Sequence, residues 1–351
     1  MTCEDEIIHP FFYNKFMKTA KIELHLHLDG SLNIMWAYRK ALQRNVIPQN
    51  ETFEEFYNRL FAVNGQHSAQ SIKKFDLVCD LLQYQIDLFE ATYDLCRRLN
   101  ENGLAYAEIR FASQQHCKKG LSQFDALEAV IEGAEKAMED FPIRIGIIDC
   151  LMHKGDSAMF NMEENLETID VTEQLLGKTL VGLDLAGFEN NCDFNEYAPL
   201  FEIASGKGIP YTIHAGEMGQ GEHILDAIRM EASRIGHGIN CIQDERYIQA
   251  LCESQIPLEV CVSSNVKVDR NYASHPVRYM IERGLKVTLN TDNMIFARSD
   301  LLNEHNQMRM LGMDDETLMQ CTWNALDAAF CDEETKECVR KAIKKDLGLE
   351  S

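Results

Sequence analysis

The sequence predicts an α/β fold in which eight parallel strands and their connecting helices close into a (β/α)8 TIM-type barrel. Eight short, apolar, β-rich runs recur along the chain, and segments with helical periodicity lie between most neighbouring runs. Strands that alternate with helices pair in parallel, and eight such units can form a barrel. The alternative, an open doubly wound sheet, is disfavoured because its glycine fingerprint is missing near the first run.

The predicted elements follow one another in a simple order. Helical spacing is clearest at residues 125–141 (DALEAVIEGAEKAMEDF) and 222–232 (EHILDAIRMEA), each of which lies between two of the runs. This placement is the one that a crossover between parallel strands requires. The eight runs occupy residues 21–30, 105–112, 144–151, 180–187, 210–216, 234–240, 257–265 and 286–293.

Two helical regions lie outside these repeated units. Residues 31–104 are too long for one crossover and carry helix formers with apolar spacing, which predicts a helical insertion after the first strand. We expect this insertion to cover one mouth of the barrel as a lid. Residues 314–330 predict extra C-terminal helices on the barrel wall. No linker or low-complexity stretch divides the chain, so residues 1–351 are expected to form a single domain.

The charge balance narrows the classes of partner. The chain carries 34 Lys and Arg against 56 Asp and Glu, a formal net charge of −22. Binding to nucleic acid or to an anionic membrane depends on Lys and Arg, so neither partner is expected. Because 45% of the residues are hydrophobic, the chain can bury a full core. The composition therefore favours a globular protein that acts on a small molecule.

The cysteine pattern and the N-terminus predict a cytoplasmic protein. Twelve cysteines are spread along the chain without a C-x-x-C pair, which is typical of reduced thiols rather than a disulfide framework. The first residues, MTCEDEIIHP, are acidic where a signal peptide needs a basic start. No apolar run approaches the roughly 18 residues that a membrane span needs.

Four of the eleven histidines fall at or beside the ends of predicted strands, namely His25, His27, His214 and His237. The carboxyl ends of barrel strands are where barrel enzymes place their chemistry. Because a strand alternates its faces, His25 and His27 share one face and the intervening leucines share the other. We therefore expect both imidazoles to point into the barrel. The other seven histidines lie in loops or helices without a second member at ligand spacing, and they are not assigned to a site.

A carboxylate completes a candidate metal site. Asp292 ends the eighth run, and together with His25, His27 and His214 it forms a donor set that suits one zinc ion. Taken singly, an H-x-H pair is more often structural, a lone histidine usually bonds a carbonyl, and an aspartate can cap a helix. The convergence of four such residues on one mouth favours the metal site.

Glu217 is the candidate proton donor, since it lies three residues after His214 and just beyond a strand end. A water bound to zinc becomes a nucleophile near neutral pH, and its attack needs a partner that delivers a proton. His237, flanked by Gly236 and Gly238, can orient the attacking water and stabilise developing charge. The residues alone also leave open that His237 is a fourth nitrogen ligand.

These motifs together resemble adenosine deaminase, within the metal-dependent amidohydrolase superfamily. The resemblance rests on HLHLDG (25–30), LAG (185–187), HAGE (214–217), GHG (236–238), SSN (263–265) and NTDN (290–293), in the order of the family and spread over residues 20–330. It implies one zinc bound by His25, His27, His214 and Asp292. It also implies that Glu217 protonates purine N1 and that His237 activates or orients the attacking hydroxide.

The resemblance further implies a substrate and its contacts. Asp29 would hydrogen-bond the ribose hydroxyls, and the Gly187 backbone N–H would meet purine N3. The implied reaction converts adenosine or 2′-deoxyadenosine into inosine or 2′-deoxyinosine plus ammonia, a step of purine metabolism. A second enzyme hypothesis keeps the barrel and the zinc but cleaves an ester, lactone or amide. It is disfavoured because many such relatives use two metals bridged by a carboxylated lysine, and the run at 180–187 ends without a lysine. An inactive binding protein is disfavoured because Glu217 and His237 are both present.

One residue departs from the family pattern. Many members carry a second aspartate after the aspartate ligand, and this chain has Asn293 at that position. In the family pattern that acid faces purine N7, an acceptor, so it must be protonated, whereas an asparagine amide donates as it is. Asn293 is therefore compatible with a purine but leaves adenine and 5′-modified adenosine open as substrates. AMP is less favoured because no basic cluster lies near the motifs.

Overall fold

A computed structural model describes residues 21–61, 69–189, 193–266 and 271–348. The predictions that concern the N-terminal segment, His9 and His67 lie outside these residues. Within them, eight parallel strands pair in chain order, and a bridge between Leu26 and Asp292 joins the last strand to the first. The predicted barrel is therefore confirmed. Its strands are β1 (Lys21–His27), β2 (Leu104–Phe111), β3 (Arg144–His153), β4 (Leu180–Gly187), β5 (Tyr211–Ala215), β6 (Arg234–His237), β7 (Leu258–Val260) and β8 (Val287–Leu289).

Helices surround the barrel, and no helix of the described residues has the length and apolar character needed to cross a membrane. The four helices α1 to α4 lie in the predicted insertion, and α14 and α15 are the predicted C-terminal helices. The helices are α1 (Ile34–Gln43), α2 (Phe53–Phe61), α3 (Ala69–Leu81), α4 (Gln85–Glu101), α5 (Gln123–Asp140), α6 (Met162–Leu175), α7 (Ala198–Gly206), α8 (Glu222–Arg229), α9 (Glu245–Ser254), α10 (Val262–Asn265), α11 (Val277–Glu282), α12 (Met294–Ala297), α13 (Leu301–Met310), α14 (Asp315–Ala328) and α15 (Glu333–Leu347).

The insertion is tied together by buried ion pairs and by a helix cap. Asn33 caps α1, its side-chain oxygen accepting from the backbone N–H groups of the first turn. Asp87 of α4 is fully buried and pairs with Lys40 of α1 at 2.6 Å and with Arg44, the residue that follows α1, at 2.7 Å. Its charge is thus satisfied by two cations from the other end of the insertion, as a buried carboxylate requires. The helical content of the insertion is as predicted, and its action as a lid stays a prediction.

The seventh strand is shorter than the sequence predicts. Residues 257–265 predict one strand, but β7 ends at Val260 and α10 begins two residues later. The Ser263 backbone N–H donates to the Glu304 carboxylate at 3.0 Å, so a side chain replaces the sheet as its acceptor. The chain therefore leaves the sheet early, and the end of α10 reaches the mouth of the barrel beside His237.

The eighth strand also ends early, at Leu289 rather than at residue 293. A side chain takes part in its join to β1, because the Leu24 N–H donates to Asn290 Oδ1 at 2.8 Å. Backbone bonds then run from Asp292 N–H to the His25 carbonyl and from His27 N–H to the Asp292 carbonyl, both at 2.9 Å. This join, which we call the β1–β8 seam, places Asp292 directly beside the two histidines of β1.

Candidate active site

The four predicted metal ligands meet at the carboxyl ends of the strands. His25 and His27 come from β1, His214 from β5, and Asp292 from the seam. Asp292 Oδ1 lies 3.6 Å from His25 Nε2 and 3.3 Å from His27 Nε2. The ring centroids of His25 and His214 are 4.6 Å apart, and those of His27 and His214 are 5.4 Å apart. The structure thus brings together the four side chains that the sequence predicts to converge.

These residues fit a divalent metal ion. His25 Nε2 is buried and has no hydrogen-bond partner, which is costly for a polar atom unless something else binds it. Burial lowers the pKa of His27 well below its ordinary value, so its ring keeps a free lone pair. Although burial opposes ionisation, the neighbouring His25 and His27 rings hold the pKa of Asp292 well below its usual range. Neutral imidazoles and one carboxylate form a donor set that zinc accepts.

Two buried carboxylates contact two of the candidate ligand histidines, His25 and His214, from inside the barrel. Glu259 Oε2 lies 2.7 Å from His25 Nδ1, and Asp184 Oδ2 lies 2.9 Å from His214 Nδ1. A carboxylate on Nδ1 keeps the proton there and leaves the Nε2 lone pair for a metal. Arg110 spans both, with nitrogens 2.8 Å from Asp184 and 2.9 Å from Glu259. The two ligand histidines are therefore held by one connected network.

This network fills the barrel lumen and was not anticipated from the sequence. Arg234 continues it, since its guanidinium lies 2.6 Å from Glu259 and 2.5 Å from Glu108, all three side chains being fully buried. Charged residues are rarely buried without partners. A charged residue within an apolar strand run was therefore the sequence signal that could have indicated a buried ion-pair network. Arg110, Asp184 and Glu259 are such residues within β2, β4 and β7.

Two of the site residues adopt a left-handed backbone. His237 has φ 62° and Asp292 has φ 64°, although neither is a glycine. Such conformations cost roughly 1–3 kcal/mol and cluster at functional sites. Each of these residues comes at or just after a strand end, where the turn directs its side chain into the barrel mouth. The backbone strain therefore marks the same mouth that the histidine pattern marks.

Glu217 lies at this mouth beside His237. Its Oε2 atom is 3.7 Å from His237 Nε2, and its side chain is 12% exposed, so it still reaches the cavity. Burial raises the pKa of Glu217, although the His237 charge acts in the opposite direction. A carboxyl with a raised pKa keeps its proton at higher pH, which is what a proton donor needs. His237 itself is 1% exposed, and burial lowers its pKa to about 4.

The loop that carries Glu217 is held by a second carboxylate, which the sequence did not reveal. Glu189 follows β4, and its side chain is 3% exposed. Burial opposes its ionisation, but hydrogen bonds from His223 and from the loop backbone lower its pKa to about 2. Its donors are His223 Nδ1 at 2.7 Å and the backbone N–H groups of Gly216 at 2.7 Å, Glu217 at 2.9 Å, Met218 at 3.0 Å and Gly219 at 3.0 Å.

Asp29, the expected sugar contact, lies in a short turn after β1 and is 7% exposed. Its Oδ1 accepts from the Gly30 N–H at 2.9 Å, and its Oδ2 lies 3.5 Å from the Cys79 thiol of α3. Burial raises the pKa of Asp29. The helical insertion thus reaches the site through Cys79, so α3 and the strand ends enclose Asp29 together.

The two remaining predicted contacts lie at strand ends. Gly187 is the last residue of β4 with φ 121°, and a Cβ there would approach the His153 carbonyl to 2.6 Å, so only glycine fits. Asn293 Nδ2 donates to Asp292 Oδ1 at 2.6 Å, while its Oδ1 is buried without a partner. A Cβ at Gly30 would lie 1.8 Å from that Oδ1, so the glycine of the Asp29 turn makes room for Asn293.

Comparison with known proteins gives one family. The family model described as adenosine deaminase matches residues 20–346. The chain is 34% identical to an adenosine deaminase of Haemophilus ducreyi over 332 residues, 92% of this chain and 95% of that protein.

Solved structures share the fold at lower identity. An adenine deaminase of Arthrobacter aurescens has a TM-score of 0.84 and 23% identity, over 94% of this chain and 99% of that one. An amidohydrolase of Burkholderia ambifaria with bound zinc has a TM-score of 0.85 and 21% identity, over 99% of this chain and 95% of that one. At such identities the likeness concerns the fold.

Proposed function

The chain belongs to the adenosine deaminase family of hydrolases, and we propose that it converts adenosine and 2′-deoxyadenosine into inosine and 2′-deoxyinosine with release of ammonia. The observation that carries the proposal is the convergence of His25, His27, His214 and Asp292 at one mouth of the barrel, where Asp292 also lies close to Glu217. A relative named adenosine deaminase at 34% identity supports the same substrate.

We propose that these four ligands hold one zinc ion, as the donor set and the unpartnered His25 Nε2 support. When bound, zinc lowers the pKa of a water toward 7 and so supplies the nucleophile for attack on purine C6. Glu259 and Asp184 keep the His25 and His214 rings oriented toward the ion.

Glu217 performs the proton transfers in the proposed reaction. Burial raises the pKa of Glu217 and so favours its protonated form, which is proposed to deliver its proton to purine N1. Protonation at N1 withdraws electron density from C6 and makes that carbon more electrophilic toward the attacking oxygen. The Glu217 carboxylate then takes the proton of the new C6 hydroxyl and passes it to the amino group, the C6–N bond breaks with loss of ammonia, and C6 becomes the carbonyl of the product, which keeps its proton on N1.

Asp29, Gly187 and Asn293 are proposed to position the nucleoside. A buried carboxyl at Asp29 is proposed to exchange hydrogen bonds with the sugar hydroxyls. The Gly187 N–H is proposed to meet N3. The Asn293 amide now donates to Asp292, so this hydrogen bond must break before the amide can donate to N7. Residues 1–351 are proposed to act as one domain, since strands from both ends of the chain build the site.

Adenine is the second candidate substrate. A structure of the same fold is named an adenine deaminase, and Asn293 departs from the aspartate pattern of the family. Asp29 weighs against adenine because a free base offers it no sugar hydroxyl.

The test uses zinc-replete protein and the ultraviolet change on conversion of adenosine into inosine. Adenosine, 2′-deoxyadenosine, adenine and AMP are compared by kcat/KM, together with the metal content per chain. We expect one zinc per chain and the highest kcat/KM for the two nucleosides. A higher kcat/KM for adenine would replace the nucleoside assignment, and no turnover of any of the four would refute deamination of these substrates.

A further inference from the structure

His275, which the sequence analysis left without a role, has its proton position fixed by the backbone. It lies just before α11, and its Nδ1 atom is 3.1 Å from the Val277 backbone N–H. A backbone N–H can only donate, so Nδ1 must be the acceptor and cannot carry a proton. A neutral imidazole carries its one proton on the other nitrogen. Burial lowers the pKa of His275 to about 4, in keeping with a neutral ring. Its proton is therefore on Nε2.

This proton position decides the orientation of the Asn265 amide. His275 Nε2 lies 3.4 Å from Asn265 Oδ1, and Asn265 Nδ2 lies 3.0 Å from His237 Nδ1. Amide oxygen and nitrogen are hard to distinguish by shape, but an N–H on His275 can only face the oxygen. The NH₂ group of Asn265 therefore faces His237. Since an amide nitrogen only donates, His237 Nδ1 must accept and carries no proton.

The remaining nitrogen of His237 faces the reaction site. His237 Nε2 lies 3.7 Å from Glu217 Oε2, and its ring centroid is 4.7 Å from that of the ligand His25. In a neutral ring whose Nδ1 is an acceptor, Nε2 carries the proton and can only donate. The strained backbone of His237, with φ 62°, leads the ring into this place.

We propose that His275 and Asn265 are positioning residues that fix His237 as the Nε2–H tautomer, so that His237 donates a hydrogen bond into the site. The proposal deepens the proposed function, on which its catalytic part rests. It decides between the roles that the sequence left open. A ring with a proton on Nε2 offers no lone pair there, so it neither binds the metal through Nε2 nor removes a proton from water. It holds the attacking oxygen and stabilises the negative charge that develops on it.

The first test reads the tautomer directly and needs no substrate. Zinc-loaded protein labelled with ¹⁵N in its histidines gives separate NMR signals for protonated and unprotonated ring nitrogens. The His237 signals are assigned by their loss in His237→Gln. We expect a protonated Nε2 and an unprotonated Nδ1 for His237, and the same pattern for His275. A protonated Nδ1 on His237 would overturn the proposal, whatever the activity of the protein.

The second test reverses the tautomer. In Asn265→Asp a carboxylate, which only accepts, replaces the amide NH₂ and draws the proton of His237 to Nδ1. We expect the His237 signals to exchange their pattern and kcat to fall about 10²-fold or more, as when one preorganised donor is lost, with little change in KM. Asn195→Asp, an equal charge change at an exposed position, is the matched control and should keep both NMR pattern and kcat.

A third variant covers the case in which Asn265→Asp does not fold. His275→Phe keeps a ring in the buried place but removes the group that orients the Asn265 amide. We expect His237 then to show a mixture of both tautomers and kcat to fall by a smaller factor than in Asn265→Asp. An unchanged single tautomer in His275→Phe would overturn the role of His275. If the NMR pattern is as expected but the parent protein deaminates none of the purines, the proposed function fails and the tautomer assignment stands.

Discussion

The two halves of the site are held in place in different ways. The half that we propose to bind the metal takes His25, His27 and His214 from strands, and fully buried charges such as Asp184 and Glu259 lie behind them. The half that we propose to face the purine takes Gly187 from the last position of β4 and its other residues from the chain just beyond the strand ends, where backbone N–H groups and one thiol provide hydrogen bonds. The register of the strands fixes the positions of the side chains in the first half, so these side chains are as rigid as the barrel. The second half depends on local loops, where a family can change its substrate while keeping its chemistry.

This comparison predicts that variants of the two halves separate metal content from turnover. The largest effect is expected for Glu217→Gln, which keeps the shape of the side chain but cannot deliver the proton. We expect zinc content to stay near the parent level and kcat to fall about 10²- to 10⁴-fold. Metal analysis and steady-state assays on the same sample measure both. Turnover near the parent level would remove Glu217 from its role.

On the strand side, Asp184→Asn tests whether the buried carboxylates hold the ligands. The amide leaves His214 without its charged partner and Arg110 with one counter-charge fewer, so the ring orients less firmly. We expect zinc affinity, measured by competition with a chelator, to fall about 10- to 100-fold. Asp170→Asn, on an exposed face of α6, is the control. Equal zinc affinity in Asp184→Asn and Asp170→Asn would contradict the role of the buried carboxylates in holding the histidines.

On the loop side, Glu189→Gln removes the charge that receives the N–H groups of the Glu217 loop. We expect unchanged zinc content and a fall in kcat of about tenfold, because a charged acceptor is worth more than a neutral one. A loss of zinc equal to the loss of kcat would show that the two halves are not separable. Glu253→Gln, on the surface of α9, serves as the control.

The same residue gives a pH dependence of stability. The pKa of Glu189 is about 2 in the folded protein against an ordinary 4.5, so its contribution is complete above the unfolded value. As pH falls from about 5 toward 2, that contribution, roughly 3 kcal/mol, is lost. We expect the free energy of unfolding of the parent to fall more steeply over this range than that of Glu189→Gln. Parallel curves in denaturant titrations would refute this assignment.

The smallest effect is expected for Asn293→Asp. An aspartate must be protonated before it donates to N7, whereas asparagine donates at any pH. We expect kcat/KM for adenosine to fall a few-fold at high pH and to recover as pH is lowered, in contrast to the parent. A pH profile that matches the parent would mean that residue 293 does not contact N7.

The sequence was informative where a residue's place depends on strand periodicity. Alternation along β1 puts His25 and His27 on one face, so their convergence with His214 could be predicted. The ends of β7 and β8 were predicted too far along, because side chains such as Glu304 and Asn290 take over bonds that the sheet would have made. No local sequence pattern indicates that these side chains will replace the bonds of the sheet.

The supporting residues could not be predicted for a related reason. Glu189 reaches the Glu217 loop from a neighbouring strand end, and His275 reaches His237 only through Asn265. Both roles depend on which segments the barrel brings together. The isolated histidine and the isolated glutamate look like any others in the chain.

The β1–β8 seam has a consequence for the stability of the closed barrel. Asp292 and the two histidines of β1 come from opposite ends of the barrel sequence, so the zinc ion proposed for them would link the first strand to the last and act as a clasp between the two. A clasp that closes so long a loop, and that forms only in the folded chain, adds its binding free energy to folding. Chelation is therefore expected to lower the melting temperature and to speed hydrogen exchange first along β1 and β8. The zinc ion proposed for the reaction would then also stabilise the closed barrel.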